Sequence, residues 1–181
     1  MPNLEGPRAS RRVLCTVMVS VVMYEAPLWA GCLDTDRARA ITVFGDAAGV
    51  LAGIPPLHVL ARERAEVYRA TKDGTTMRDA KMDAREELRQ SWQTEWSRSA
   101  KGNWTRSLIP TIREWTTRTH GETYFHLTQA LSGHGCFAVY LKKIGRGEDG
   151  QCDHCNSEPD DAEHTLVRCT AWEEGRRQVE A

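Results

Sequence analysis

Cys152, Cys155, His164 and Cys169 fall within eighteen positions, in the spacing C-x2-C-x8-H-x4-C. Two cysteines three apart can aim both sulfurs at one point through a tight turn. A histidine and a cysteine five apart can do the same from the start of a helix. Three thiolates and one imidazole fill a tetrahedral zinc shell with no open position. Such a shell holds structure and activates no water. Disulfides are the competing use, but three cysteines would leave one unpaired within the group. The pattern therefore predicts a zinc ion held by these four residues. Its contribution is folding free energy, on the order of 10–16 kcal/mol apparent in small zinc peptides.

Other chemistry-bearing residues read more plainly. His134 and Cys136 imitate a base and a nucleophile, yet no acidic orienter is near in sequence and glycines flank the histidine, so a turn is expected. Asp160 and Asp161 imitate a paired-carboxylate site but lie in a polar stretch with no strand before it, and read as a solvated loop. Gly45, Gly49 and Gly53 lack the G-K-[ST] of a phosphate loop, so a loop or a packed helix is expected over 42–53. His58, His120 and His126 have no ligand spacing with one another, and His154 is expected to be exposed. No catalytic residue is assigned.

The formal net charge of the 181 residues is −1, but its distribution is uneven. Residues 98–146 carry eight basic residues against two acidic ones, while 151–181 carry eight acidic against three basic. A basic middle beside an acidic end suggests a polyanion partner, or docking of one on the other. Trp104, Trp115, Tyr124, Phe125, Phe137 and Tyr140 interleave with the bases. Either the aromatics are core and the bases a solvated rim, or Arg106, Arg113, Lys142, Lys143 and Arg146 line a groove for RNA or DNA. The acidic loop has no aromatic between its ligands and would repel phosphate, so the knuckle is expected to act as a clasp. In that role it packs Leu166, Val167 and Trp172 against the preceding helix.

The elements that position these residues are read as helices. Ser10 is a plausible N-cap for an apolar helix running to about Leu33. The run Val13–Tyr24 behind Arg11 and Arg12 imitates a signal peptide, but it is too short to span a membrane and Glu25 and Pro27 close it. Pro55-Pro56 opens a helix to about Ala70, and Asp73-Gly74 makes a turn. Thr76 with Asp79 resembles a capping box ahead of the row Ala80, Ala84, Leu88, Trp92, Trp96. Trp104, Leu108, Ile109, Ile112 and Trp115 form an apolar set broken at Pro110. A further helix runs from about Glu122 to Leu131. Another restarts at Cys136, with Cys136, Val139, Tyr140 and Ile144 on one face. No convincing strand alternation appears, so the fold class is mostly α with a small C-terminal Cys3His zinc knuckle. Cys15, Cys32 and Cys136 read as buried free thiols in a reducing, intracellular setting, nuclear or cytoplasmic.

Several segments, in order, resemble the C-terminal part of a non-LTR (LINE-type) retrotransposon reverse transcriptase polyprotein of the jockey-like and ribosomal-DNA-inserting kind. They are Tyr24-Glu25-Ala26-Pro27-Leu28-Trp29-Ala30, Leu51-Ala52-Gly53-Ile54-Pro55-Pro56-Leu57 with Arg62-Glu63-Arg64, and Trp92-Gln93-Thr94-Glu95-Trp96. Trp104-Thr105, Leu131-Ser132-Gly133-His134-Gly135-Cys136-Phe137, Tyr140-Leu141 and Glu163-His164-Thr165-Leu166 with Cys169 complete the series. The resemblance implies a thumb-like helical region over 10–70, a helical linker over 76–146, and a CCHC-type zinc knuckle with a terminal helix over 150–181. It also implies a grip on template RNA or target DNA during target-primed reverse transcription. The polymerase fingers, palm and catalytic aspartate motif and the endonuclease are absent from the sequence, so no enzyme activity is expected. The segment between Leu33 and Leu51 is shorter than the family pattern by roughly a helix and a turn. Three readings remain: a nucleic-acid-binding fragment, a zinc-stabilised helical module that binds protein, or a gene-model fragment with no independent role. None of them involves a membrane.

Overall fold

The computed structural model describes residues 23, 26–30, 45–119, 123–156 and 159–180, which fall into two compact units. Among them the helices are, in order, α1 (Ala26–Trp29), α2 (Asp46–Ala52), α3 (Leu57–Lys72), α4 (Met77–Arg98), α5 (Asn103–Leu108), α6 (Ile112–Thr117), α7 (Phe125–Ser132), α8 (Ala138–Lys143) and α9 (Glu173–Glu180). A π-helical turn, His164–Arg168, and a 3-10 turn, Thr170–Trp172, precede α9. The described residues are mainly helical and contain no strand, as the sequence pattern predicts; one isolated bridge joins Gln151 and Pro159. Most of the helix expected over 10–33 lies outside the described residues, as do Cys15, Cys32 and His120.

The first unit contains residues 23, 26–30 and 55–94 of those described. Pro55 and Pro56 withhold N–H donors that a first turn would leave unbonded anyway, and α3 starts behind them. Met23, Ala26 and Ala61 form a buried cluster, flanked by Ala30, Leu57 and Leu60, that packs α1 on α3. Asp73 closes α3, and Gly74 turns the chain with φ +92°, where a side chain would be strained. Thr76 then caps α4: its hydroxyl oxygen accepts from the Asp79 N–H at 3.2 Å, and the hydroxyl donates to the Asp79 carboxylate at 2.7 Å. Arg85 Nε reaches Glu63 at 3.0 Å, tying α4 to α3. Burial pushes the Glu63 carboxyl above its ordinary range, against the pull of Arg85, Arg64 and Arg89. The row Ala80, Ala84, Leu88, Trp92 and Trp96 is buried throughout.

The second unit contains residues 45–54, 95–119, 123–156 and 159–180 of those described. The glycines of 45–53 belong to a helix, not a phosphate loop. Gly53 ends α2 with φ +68°; its N–H donates to Val50 O at 3.0 Å and the Ile54 N–H to Gly49 O at 2.9 Å. This is the Schellman pattern, which satisfies carbonyls a helix end leaves open. In the last turn of α4, Trp96 Nε1 donates to Ile109 O at 2.9 Å, so the largest fully buried side chain of the unit has no stranded polar atom. Pro110 separates α5 from α6, with Ile109 and Ile112 buried on either side. Trp104 Nε1 donates to Ala130 O at 2.7 Å and Thr105 Oγ1 to Leu131 O at 2.9 Å, which fix α5 against the end of α7.

Three expectations change here. Cys136 is exposed rather than buried, and Val139 and Ile144 are exposed too, because Phe137 is the residue that buries ahead of α8. Leu166, Val167 and Trp172 do not pack inward; all three stay exposed. Trp172 instead meets the His154 ring edge-on, with centroids 4.9 Å apart.

Candidate metal centre

The residues after α8 build the Cys3His cluster from two short turns. Cys152 and Cys155 sit in a turn closed by the Asn156 N–H donating to Cys152 O at 2.8 Å. Asn156 takes φ +54°, a left-handed conformation that asparagine tolerates better than most residues. The second turn starts at His164, whose N–H donates to Asp161 Oδ1 at 2.7 Å. In an α-helix five positions at 100° each would leave Cys169 about 140° around from His164. The wider turn, closed by the Cys169 N–H donating to His164 O at 2.7 Å, brings the two onto one side.

Ligand-type atoms from Cys152, Cys155, His164 and Cys169 all lie within 4.8 Å of one another. Cys152 Sγ and Cys169 Sγ are 3.9 Å apart, and Cys155 Sγ is 3.3 Å from His164 Nε2. All three cysteines are free thiols, and 3.9 Å is far beyond a disulfide bond. Metal–sulfur bonds of ~2.3 Å and metal–nitrogen bonds of ~2.0–2.1 Å at tetrahedral angles put neighbouring ligand atoms about 3.5–3.8 Å apart. The two separations bracket that range. Cys152, Cys169 and His164 are buried and Cys155 is half-buried. The cluster can therefore hold a metal ion, with one ligand near solvent.

Burial pushes the Cys169 thiol up, and the neighbouring Cys152 and Cys155 thiols add to the effect. A cation in their midst would reverse that preference, because it binds thiolates. Arg176 Nη2 donates to Cys169 O at 2.7 Å, while its buried Nη1 has no hydrogen-bond partner among the described residues. A guanidinium so placed suits a centre whose sulfurs carry negative charge. No sequence pattern marks Arg176, since its acceptor is a backbone carbonyl.

The aspartates read as a solvated loop are instead connectors. Asp160 Oδ2 accepts from the Ala138 N–H at 2.8 Å and Asp160 O from the Val139 N–H at 3.1 Å. Thr165 Oγ1 donates to Asp160 Oδ1, and Asp160 N–H to Gly150 O at 2.7 Å. The turns that carry the Cys/His cluster are thus held to the start of α8.

The five basic residues singled out for nucleic acid fall into different settings. Arg106 is engaged within the protein: its Nη1 donates to Ser99 O at 2.7 Å and to Trp96 O and Lys101 O at 3.3 Å, and its Nη2 to Asn103. It caps the open carbonyls at the end of α4. Arg113 on α6, Lys142 and Lys143 at the end of α8, and Arg146 just beyond are exposed. Burial, with Lys143 nearby, lowers the His134 imidazole below its ordinary value, and that ring lies 4.6 Å from Tyr140. Of the aromatics that interleave with the bases, Tyr124 and Phe125 stand 64% and 57% exposed.

The chain is 29% identical over 174 residues to the Pol polyprotein of type-1 retrotransposable element R1 2 of Nasonia vitripennis, covering 87% of this chain and 40% of that protein. Its homologues are R1 retrotransposon Pol polyproteins. A second, from element R1 4 of the same wasp, is 28% identical over 153 residues, covering 74% of this chain and 38% of its own. The chain thus corresponds to about two fifths of the curated relatives it matches. No protein-family model and no solved structure matches it. Among the described residues no helix is long and apolar enough to cross a membrane.

Proposed function

We propose that this chain is a non-catalytic, nucleic-acid-binding part of a retrotransposon Pol polyprotein, gripping template RNA or target DNA, with a zinc ion clasping its tail. The observation that carries the reading is similarity to R1 Pol polyproteins over 87% of the chain. Zinc fits the donor set: three sulfurs and one imidazole in a compact, mostly buried group suit a borderline-soft, tetrahedral ion. When bound, it would supply cross-linking of two turns and no reaction, since four protein ligands leave no place for water. Cys152, Cys155, His164 and Cys169 would hold it. Exposed Arg113, Lys142, Lys143 and Arg146 would meet phosphates, while Arg106 would support the surface through the end of α4.

A second reading, a zinc-stabilised module that binds protein, is favoured by exposed Leu166, Val167 and Trp172 on the acidic knuckle. A salt titration of RNA and DNA binding separates the two. Displaced counterions make nucleic-acid affinity fall steeply with salt, by ~0.7–0.9 log units per log unit of salt for each phosphate neutralised. A steep slope supports the grip. Absence of binding to either polymer at low salt overturns it and leaves the protein-binding module.

A further inference from the structure

The second unit holds a groove of about 920 Å³, near the top of the ~300–1,000 Å³ range of ligand clefts. One wall comes from α2, another from the start of α5, and a third from the end of α7 with residues 161–163. Trp104 lines it with its indole locked, Nε1 bonded to Ala130 O and Cδ1 so close to Gly133 that an added Cβ would sit 3.3 Å away. Gly133 also has φ +69°, so a side chain there would be strained as well as crowded. An aromatic surface held this firmly loses little freedom when something stacks on it.

Three carboxylates line the groove: Asp46 accepts from the Ser99 hydroxyl, Asp161 accepts from the His164 N–H, and Glu163 is exposed. Lys101 and Lys143 line the groove, and neither ammonium meets a carboxylate among the described residues. Thr123 and Thr128 line it too, and these bracket the exposed pair Tyr124–Phe125. The Phe125 ring is braced edge-on by His126, with centroids 5.2 Å apart. One groove thus joins a fixed indole and two ammonium groups, with the exposed Tyr124 and Phe125 lying in sequence between two residues of its lining.

We infer that this groove seats a single-stranded polynucleotide, with one base against Trp104, neighbouring bases on Tyr124 and Phe125, and phosphates at Lys101 and Lys143. The inference rests on the nucleic-acid reading above and adds to it a place and a strandedness. Stacked aromatic faces accept any unpaired base, whereas a duplex keeps its base faces hidden. The basic balance of residues 98–146, eight against two, supplies the field that draws a phosphate chain rather than an acidic protein.

Fluorescence anisotropy on the full metal-loaded chain tests this, using a labelled oligouridylate and an RNA duplex of equal length over a range of KCl. The single strand should bind at least about tenfold more tightly than the duplex. Tyr124→Ala with Phe125→Ala should weaken the single strand by about tenfold or more and leave the salt slope unchanged. Both rings are exposed, so circular dichroism should report an unaltered fold. Lys101→Ala with Lys143→Ala should lower the slope by about 1.4, at ~0.7 per phosphate contact. Equal or tighter duplex binding, or an aromatic double variant that binds like the wild type, overturns the groove. If that happens while Arg113→Ala with Arg146→Ala still weakens RNA, the grip survives elsewhere on the surface. If the unaltered chain binds neither RNA at low salt, the groove falls, and the grip falls with it once DNA too is left unbound.

Discussion

The Asp160 carboxylate accepts a hydrogen bond at 2.8 Å from the backbone N–H of Ala138, twenty-two positions earlier in the chain. The same carboxylate takes the Thr165 hydroxyl, within the turn that carries His164 and leads to Cys169. One side chain therefore joins the start of α8 to the metal turn. The acceptor sits where the first N–H groups of a helix need one, and a carboxylate is favoured there by the local dipole.

Replacing Asp160 with Ala should cost about 1–3 kcal/mol, the range for stranding a partly buried donor. Asn keeps one acceptor oxygen and should cost less. Urea denaturation of the metal-loaded chain would measure both, with metal content unchanged because Asp160 is not among the ligands. An Ala variant as stable as the wild type would show that the Ala138 N–H is satisfied by water.

Arg106 should behave as a structural residue. Its guanidinium spans three carbonyls at the end of α4 and lies 5.6 Å from the Trp96 ring centre. A lysine ammonium is a point charge and cannot reproduce that planar fork. Arg106→Lys should destabilise the chain by about 1–2 kcal/mol, near the 1.5–3 kcal/mol of a charged hydrogen bond. Arg106→Ala should destabilise it further. Thermal unfolding would show this in the absence of any nucleic acid. Unchanged melting of both variants would return Arg106 to the set of free surface cations.

The parts of this molecule legible in sequence are those whose geometry is local. Ala80, Ala84, Leu88, Trp92 and Trp96 are buried because four-residue spacing keeps neighbours on nearly one helix face. Cys152, Cys155, His164 and Cys169 come together because short turns fix their separations. Arg106, Arg176 and Asp160 were opaque because their partners include backbone groups, which every residue offers and no pattern marks. Tyr124 and Phe125 were opaque for a related reason. An aromatic beside bases reads alike whether its ring faces a core or solvent, and only the packing of α7 decides.

Removal of the metal should loosen the tail selectively. Without a cation, burial holds the Cys169 thiol above its ordinary value, which favours the protonated form, and the two turns lose their common anchor. Chelation should reduce helicity modestly and expose residues 150–176 to proteolysis, while α3 and α4 persist. Under the proposed ligation by thiolates, metal release should increase as pH falls. Cys169→Ser should mimic chelation, and Cys155→Ser, at the half-buried position, should lose metal at a higher pH than the wild type. Zinc release followed with a chromophoric chelator would check the order; a tail indifferent to chelation would remove the clasp.

Glu63 gives a pH prediction in the first unit, independent of the metal. Burial raises its carboxyl above the ordinary value, and Arg85 at 3.0 Å only partly offsets this. A raised folded-state pKa means that the folded chain binds this proton more tightly than the unfolded chain does. The associated stability is fully present below the unfolded pKa and is lost as pH rises through the folded pKa. At neutral pH the ionised carboxylate is therefore a small net burden. Glu63→Gln, which keeps shape and hydrogen-bonding capacity without the charge, should match or slightly exceed wild-type stability at pH 7. That advantage should shrink toward zero as the pH is lowered through the carboxylate range, because the wild-type group then becomes neutral too. Urea midpoints of both proteins at a series of pH values would test this. A variant markedly less stable at pH 7, with the gap closing on acidification, would mean that the Arg85 pair outweighs desolvation and that the sign is reversed.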